Sequence, residues 1–266
     1  MREKILDVLQ GEYWDSISDS YHDTTRISCS DFHYGPQIPG ESALHILPVF
    51  RPGMTALELG CGGAQNSIWL AQQGVECTAM DISDAQLSHA GELALKQSVS
   101  IRLIQGTLES FKEHIGEETF DFVHSSHAME FVEYPADVVR EMVSSLKRGG
   151  TLMISTVHPL YNGDWICGEY EDEEENEGVL GDGLYLKSYF EPPDDVRDES
   201  GVHVVSRAYP ISSWFKWLRA AGLEVLSIEE PAAIEHAPYT SDDWANHEGE
   251  LDAIPSTVIF VARLPQ

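Results

Sequence analysis

The sequence predicts an α/β fold: a Rossmann-like, mostly parallel, seven-stranded sheet with helices on both faces. Short apolar runs alternate with segments of helical period between residues 55 and 156. The first run, Thr55–Leu59, leads into a glycine-rich turn that opens a helical pattern. The second run ends at Asp81, 23 positions after Glu58, a spacing typical of nucleotide-binding sheets.

The segment before the first strand is predicted to be mostly helical. Apolar residues recur at helical spacing over residues 2–26, in two pieces, and Trp14 is expected to pack its helix on the core. Glycines and prolines mark residues 31–40 as a loop, and residues 42–50 are expected to form a short helix. The aromatic residues of the loop, including Tyr34, either line a pocket or anchor the loop.

The turn after the first strand is suited to a ligand that lacks phosphate. Gly60 and Gly62 let the backbone turn sharply and approach a ligand closely. Residues 65–67 would open a helix whose unpaired N–H groups face that ligand. No Gly-Lys-Ser/Thr follows, which excludes a P-loop. A carboxylate at Glu58 would repel a pyrophosphate but pair with an ammonium, so S-adenosylmethionine fits the predicted ligand.

This turn resembles the first motif of the class I S-adenosylmethionine-dependent methyltransferases, which reads acid-x-Gly-x-Gly-x-Gly. Glu58, Gly60 and Gly62 match the motif, and the small residue Ala64 stands at the last glycine. Leu-Lys-Arg-Gly-Gly at 146–150, before an apolar strand, is also family-like and is expected to end a helix. The resemblance implies a Rossmann-like fold, S-adenosylmethionine as cofactor and methyl transfer to a small-molecule acceptor.

The resemblance also implies cofactor-binding residues. Asp81 is expected to accept hydrogen bonds from the ribose hydroxyls, and Ile82 to lie against the adenine. Family members usually carry aspartate at the position of Thr107, so the adenine amino group would meet the Thr107 hydroxyl or rely on the Leu108 amide. The Ser125 backbone would contact the methionine end. The cofactor-binding candidates are Tyr13, Tyr21, Glu58, Gly60, Gly62, Asp81, Ile82, Thr107, Leu108 and Ser125.

Residues 13–23 resemble the N-terminal helix that covers the cofactor in small-molecule members, which puts Tyr21 near the methionine end. Methyl transfer requires an aligned acceptor, exclusion of water, and a base if the acceptor is a hydroxyl or a protonated amine. A carboxylate acceptor needs no base. His22, His127 and His158 are the catalytic candidates because their chain positions fall near the predicted cofactor mouth. The alternative for each is a structural histidine.

Residues 157–205 break the alternation of strands and helices and are expected to form a lid over the acceptor. The substrate-binding candidates are the aromatic residues Tyr34, Tyr161, Trp165, Tyr185 and Tyr189. Residues 169–177 hold seven acids in nine positions and are expected to be solvated. No metal-ligand spacing is present, so no metal is expected. The predicted parts are a helical cap (1–50), a cofactor-binding core (51–156), the insertion (157–205) and the C-terminal part of the core sheet (206–266), whose last two strands pair antiparallel.

Composition limits the partners. The 266 residues carry a formal charge of −29, from 45 acids and 16 bases, which disfavours nucleic acid and anionic membrane surfaces. No apolar run approaches the roughly 20 residues of a membrane span, and the N-terminus lacks the apolar stretch of a secretory signal. Four scattered cysteines indicate reduced thiols. We therefore expect a cytoplasmic protein; the sequence does not predict its oligomeric state.

Two other hypotheses stay open at this point. A nicotinamide-dependent oxidoreductase could use the same sheet, but its pyrophosphate would have to tolerate Glu58 in the turn. A protein that binds S-adenosylmethionine without turning it over would also carry the glycine turn. The aromatic-rich insertion favours an enzyme.

Overall fold

A seven-stranded sheet forms the centre of the fold, as predicted. The structure is a computed structural model and describes residues 2–161, 164–166, 170–171, 177–178, 183–199, 202–242 and 253–266. In chain order the elements are α1 (Arg2–Thr24), β1 (Thr25–Ile27), α2 (Glu41–Leu44), β2 (Thr55–Leu59), α3 (Gln65–Gln72), β3 (Glu76–Asp81), α4 (Asp84–Lys96), β4 (Arg102–Gln105), α5 (Phe111–Ile115), β5 (Phe120–Ser126), a 3₁₀ turn (Met129–Phe131), α6 (Pro135–Ser144), β6 (Leu146–Val157), β7 (Asp164–Ile166), β8 (Tyr170–Glu171), β9 (Glu177–Gly178), β10 (Gly183–Tyr185), β11 (Asp195–Glu199), β12 (Val202–Ser206), α7 (Ile211–Ala220), β13 (Glu224–Glu229), β14 (Tyr239–Ser241) and β15 (Thr257–Arg263).

The strand order places a ligand site at the middle of the sheet. The order is β13-β15-β6-β5-β2-β3-β4. Neighbours from β6 to β4 are parallel, and β15 and β13 pair antiparallel, which confirms the predicted ending. The chain runs outward from β2 through β3 to β4 and then returns to β5 on the other side of β2. Ligands of open α/β sheets bind where the order reverses in this way, outside the carboxyl ends of the strands.

The strand that leads into the glycine turn alternates between two apolar cores. Leu57 and Leu59 join the cluster that includes Trp214 of α7, whereas Ala56 joins the cluster on the opposite face of the sheet. Glu58 shares the face of Ala56 and is buried at the carboxyl end of β2. Because a buried carboxylate costs free energy unless it is partnered, its position indicates a functional role.

The helix predicted to run into Leu-Lys-Arg-Gly-Gly ends earlier, and that prediction is wrong. Leu146 already belongs to β6 and pairs with Phe120 of β5. The Lys147 ammonium lies 2.7 Å from a carboxylate oxygen of Asp121. Pairing with a strand distant in the sequence therefore extends the chain here, and the local helix-stop pattern does not show that pairing.

The N-terminal region also differs in detail from the prediction. Residues 2–24 form one helix, α1, instead of two pieces, and β1 after it pairs with β14 from the other end of the chain. A Cβ on Gly11 would lie 3.6 Å from Cγ1 of Ile82, so α1 passes close to the carboxyl end of β3 at its glycine. The helix expected over residues 42–50 is limited to α2, and His45 directly after it adopts a left-handed conformation.

Three small antiparallel ladders follow β6: β7 with β10, β8 with β9, and β11 with β12. The third ladder packs beside α1 through β12. Most of the acidic tract and the side chain of Trp165 lie outside the described residues, so their predicted roles stay predictions. The division into cap, core, insertion and C-terminal part also stays a prediction. No helix in the described part of the chain is both long and apolar enough to cross a membrane.

Candidate active site

A cavity lies where the strand order reverses, between the turn after β2 and the loop after β5. Residues of α1 and β14 complete its wall. Nine of the predicted site residues line it: Tyr21, Glu58, Gly60, Gly62, Asp81, Ile82, Thr107, Leu108 and His127. The structure therefore brings together predicted residues that lie between positions 21 and 127 of the chain.

The glycine turn packs directly against the loop after β5. Gly60 has φ 71° and Gly62 has φ 50°, both in the left-handed region that favours glycine. A Cβ on Gly60 would lie 2.2 Å from Cβ of Ala128. The Gly60 amide donates to the carbonyl of Met80 at 2.9 Å, which ties the turn to β3. Ala64, at the third glycine position of the motif, also adopts a left-handed conformation and precedes α3.

Glu58 presents a buried carboxylate to the cavity. One oxygen, Oε2, accepts hydrogen bonds from the amide and the hydroxyl of Ser67 in the first turn of α3. Burial raises the pKa of Glu58 to about 8, and nearby Asp81 adds to the rise, while the Ser67 hydrogen bonds oppose it. Oε1 accepts no hydrogen bond from the described part of the chain, and Nδ1 of His124 is 4.0 Å away. A cationic ligand group beside Oε1 would stabilise the ionised form.

Asp81 is held by backbone amides and keeps unused acceptor capacity. Its Oδ2 accepts from the Gly62 amide at 2.7 Å and its Oδ1 from the Ser83 amide at 3.0 Å. Burial raises its pKa, and these hydrogen bonds oppose the rise. A carboxylate has about four acceptor positions, so acceptor capacity remains for a ligand hydroxyl. Ser83 also caps α4 by accepting from the Gln86 amide, and its hydroxyl donates to Asp15 of α1 at 2.6 Å.

The residues predicted to contact adenine offer fewer free hydrogen-bonding groups than Glu58 and Asp81 do. Ile82, Thr107 and Leu108 line the cavity. The Thr107 hydroxyl lies 2.8 Å from the Ser110 hydroxyl and accepts from the Ser110 amide at 3.1 Å. It therefore serves a local turn, and a hydrogen bond from an adenine amino group would have to share that oxygen. The expectation that the Leu108 backbone takes this role stays a prediction.

His127 is the one catalytic candidate in the cavity wall, and its ring is held on both sides. Nδ1 lies 3.1 Å from Oε1 of Glu130, and Nε2 lies 3.0 Å from the Thr257 hydroxyl. Glu130 is buried, and its second oxygen accepts from the Thr156 hydroxyl at 3.0 Å. A carboxylate only accepts, so this contact favours the tautomer of His127 that carries its proton on Nδ1. A Cβ on Gly35 would lie 2.4 Å from Nε2, so the backbone there also confines the ring.

The other two catalytic candidates lie outside the described lining. Nε2 of His158 is 2.7 Å from a carboxylate oxygen of Glu230, and burial lowers the pKa of His158 while Glu230 opposes that shift. His22 lies 3.0 Å from the side-chain oxygen of Gln86, which lines the cavity, and its ring centroid is 4.2 Å from that of His89. His22 thus contacts the lining residue Gln86, whereas His158 belongs to a separate hydrogen-bonded pair with Glu230.

Three of the remaining candidates are buried but are not part of the described lining. Tyr13 and Ser125 are buried next to the lining residues Trp14 and Ser126. Tyr34 is fully buried with its hydroxyl bound to a glutamate of α2, which disagrees with a role at the cavity.

The insertion tyrosines also lie outside the lining. Tyr185 is 55% exposed, the Tyr189 hydroxyl accepts from the backbone of α7, and Tyr161 is half-buried after β6. None of these three lines the cavity in the described part of the structure.

Sequence reasoning missed several lining residues. Tyr239 of β14 has its hydroxyl 2.6 Å from that of Tyr21, and His33 lines the cavity from the loop after β1. Trp14 lines the cavity and also packs edge-on against Phe131 at 5.4 Å. The Gly/Pro punctuation around His33 was a usable signal for a pocket loop, whereas the segment around Tyr239 carries no motif.

Comparison with known proteins supports the resemblance. A family model described as a methyltransferase domain matches residues 57–154. The chain is 33% identical over 176 residues to the ubiquinone biosynthesis O-methyltransferase of Pseudomonas entomophila, a match that spans 66% of this chain and 67% of that enzyme. The chain belongs to the class I S-adenosylmethionine-dependent methyltransferases. Its cofactor is S-adenosylmethionine, so the alternative of a nicotinamide-dependent oxidoreductase is rejected.

Two further comparisons limit what this membership implies. The chain is 36% identical over 109 residues to the enzyme of the same name from Marinobacter nauticus, which covers 40% of this chain but only 45% of that relative's length. A putative S-adenosylmethionine-dependent methyltransferase from Listeria monocytogenes has a TM-score of 0.65 at 22% identity, over 84% of this chain and 94% of that one. This structural likeness concerns the fold alone.

The cavity of this methyltransferase suits its cofactor. The glycine turn leaves no room for a Cβ at Gly60, and Asp81 keeps free acceptor positions. Its described lining contains the acids Glu58, Asp81 and Glu109 and neither lysine nor arginine, which matches a ligand with sulfonium and ammonium charges. Among the described residues, no group of three or more His, Cys, Asp or Glu side chains is placed to hold a metal ion.

Proposed function

We propose that this methyltransferase transfers the methyl group to an oxygen or nitrogen atom of a small molecule, with oxygen favoured. The observation that carries the proposal is the His127–Glu130 pair in the cavity wall. A hydroxyl acceptor must lose a proton, and this pair supplies a base. The two sequence relatives are named O-methyltransferases, which agrees with oxygen. A protein that only binds the cofactor would have no use for such a base.

When bound, S-adenosylmethionine supplies an electrophilic methyl group on a sulfonium. Glu58 would hold the ammonium of the cofactor, and Asp81 would accept hydrogen bonds from its ribose hydroxyls. Ser67 and the amides of Gly62 and Ser83 hold these two carboxylates in place before the ligand arrives. This pre-organisation lowers the cost of ordering the site on binding.

His127 then takes the acceptor's proton. Glu130 anchors the Nδ1 side of the ring, and Nε2 would receive the acceptor's proton once the hydroxyl of Thr257 gives way. The imidazolium that forms lies beside a buried carboxylate, which stabilises the new charge. Trp14 and Phe131 line the same cavity as His127, and their rings would help to keep water away from the reacting groups.

The experiment has a binding arm and a turnover arm. Calorimetry should show binding of S-adenosylhomocysteine and no binding of NAD; a folded protein that fails to bind S-adenosylhomocysteine would refute the proposal. A screen of small molecules with labelled cofactor identifies a hydroxyl acceptor for the second arm. His127→Asn should then lower turnover by about 10²–10⁴-fold, the usual contribution of a general base, and leave S-adenosylhomocysteine binding unchanged.

His158→Asn is the matched control, because His158 is a buried histidine with a carboxylate partner outside the cavity. We expect its turnover to stay near the wild-type value even if the protein unfolds at a lower temperature. The opposite result, with a harmless His127→Asn and an inactive His158→Asn, would restore His158 as the base and remove His127.

A further inference from the structure

We propose that His33 hydrogen-bonds the hydroxyl of the acceptor, in a subsite that accepts uncharged or cationic aromatic hydroxyl compounds and excludes anionic ones. The inference rests on the proposed methyl transfer and names its acceptor class and an acceptor-positioning residue.

The position of His33 is tied to the cofactor turn. Its backbone N–H donates to the side-chain oxygen of Asn66 at 2.9 Å, and the Asn66 amide donates back to the His33 carbonyl at 3.0 Å. Asn66 is fully buried in the first turn of α3, next to the Ser67 that binds Glu58. The imidazole therefore keeps a fixed place relative to the cofactor's methionine end, as a residue that aligns an acceptor must.

The ring of His33 has hydrogen-bonding capacity that the described residues do not use. It is 8% exposed and lines the cavity, and its Nδ1 is buried without a hydrogen-bond partner in the described part of the chain. Both nitrogens of His127, in contrast, have partners. Nε2, in contrast to Nδ1, is not among the inaccessible atoms, and no described residue hydrogen-bonds it, so it is the nitrogen that a ligand in the cavity can reach.

His33 is suited to positioning and not to proton removal. Burial, with a smaller contribution from His127, lowers the pKa of His33 to about 3. The ring is therefore neutral near pH 7 and offers one donor and one acceptor nitrogen. A neutral hydroxyl can bind Nε2 as donor or as acceptor, according to the tautomer, while His127 takes the proton.

The charges around the cavity exclude an anionic acceptor. Its described lining holds Glu58, Asp81 and Glu109 but no lysine or arginine. Arg197 is not part of that lining: it lies 5.9 Å from the ring centroid of Phe131, its guanidinium donates to an aspartate of β11, and its charge acts on Tyr21 and Tyr239 of the wall. The cofactor's own carboxylate belongs to a zwitterion whose ammonium balances it, whereas the carboxylate or phosphate of an acceptor would lose its hydration here without gaining a lysine or arginine counter-ion from the described lining.

The same wall favours an aromatic acceptor. Trp14 and Phe131 meet edge to face at 5.4 Å, and the Tyr239 ring stands edge-on to His33 at 5.2 Å. All four side chains line the cavity. Aromatic rings prefer such edge-to-face neighbours, so a planar acceptor ring between these residues adds contact area and specific geometry.

The test uses the full chain saturated with S-adenosylhomocysteine and three probes that share a dihydroxyphenyl group. Catechol is uncharged, dopamine is cationic and 3,4-dihydroxybenzoate is anionic near pH 7. Calorimetry should show that catechol and dopamine bind and that 3,4-dihydroxybenzoate binds at least about tenfold more weakly. Equal or tighter binding of 3,4-dihydroxybenzoate overturns the charge selectivity. Failure of all three to bind overturns the aromatic hydroxyl class, while S-adenosylhomocysteine binding and the acceptor screen still test methyl transfer separately.

Variants then test His33 itself. His33→Phe keeps a ring of similar size without nitrogens and should raise the Kd for catechol at least about tenfold with the Kd for S-adenosylhomocysteine unchanged. His33→Asn restores a polar side chain and should recover part of that affinity. Tyr34→Phe is the control, because it removes a hydroxyl from the same loop outside the cavity and should leave catechol binding unchanged. Wild-type catechol affinity in His33→Phe, or an equal loss in Tyr34→Phe, overturns the role of His33.

Discussion

Replacing Gly60 by alanine should disrupt the site through a single pair of atoms. The new Cβ would lie 2.2 Å from Cβ of Ala128, far inside the contact distance of about 3.5–4.0 Å between carbon atoms. The residue also has φ 71°, which costs an alanine about 1–2 kcal/mol. Overpacking adds about 1–3 kcal/mol. We therefore expect Gly60→Ala to lower the free energy of unfolding by about 2–5 kcal/mol, and to weaken S-adenosylhomocysteine binding because the turn and the loop after β5 must separate.

The cost of the left-handed dihedral and the cost of the Cβ collision can be separated. Gly62→Ala is the control, because Gly62 is also left-handed but its Cβ would meet only a Gln86 oxygen at 3.7 Å, so only the cost of about 1–2 kcal/mol for the dihedral remains. Ala128→Gly should destabilise the wild type slightly but stabilise Gly60→Ala, since it removes the colliding Cβ. Urea unfolding gives the stabilities and calorimetry the affinities. If Gly60→Ala costs no more than Gly62→Ala, or Ala128→Gly does not rescue it, the packing argument is refuted.

Two further predictions concern the carboxylates. Asp81→Asn should weaken S-adenosylhomocysteine binding by about 1–3 kcal/mol, through lost hydrogen bonds to a charged acceptor; an unchanged Kd in the folded variant would remove Asp81 from the site. Glu58→Gln should weaken binding too but stabilise the free protein. Burial raises the Glu58 pKa from 4.5 to about 8. The contribution of the Glu58 carboxyl to the free energy of unfolding is therefore fully present below the unfolded-state pKa and is lost as the pH rises through about 8. The gap between variant and wild type should therefore widen between about pH 5 and pH 8 in urea unfolding, and a constant gap would contradict the buried-carboxyl argument.

The sequence by itself determined the sheet and much of the lining of the candidate cofactor cavity. The apolar run of β2, the glycines after it and Asp81 at the end of β3 are local patterns, and each predicts its structure from neighbouring residues alone. Their positions at the carboxyl ends of adjacent parallel strands then follow from the general rules of this fold. For this reason Glu58, Gly60, Gly62 and Asp81 all line the cavity.

Only the tertiary structure decided which residues surround the acceptor. His127 and His158 read alike in the sequence, each close to the end of a core strand, but one meets Glu130 and Thr257 in the cavity wall and the other meets Glu230 outside it.

The same holds for two neighbours in one loop. Tyr34 stood out as the aromatic candidate, yet His33 lines the cavity and Tyr34 is buried behind it. Tyr21 meets Tyr239 across most of the chain, where β1 pairs with β14. Contacts between distant segments depend on how the elements pack, and local periodicity and motif spacing carry no information about that packing.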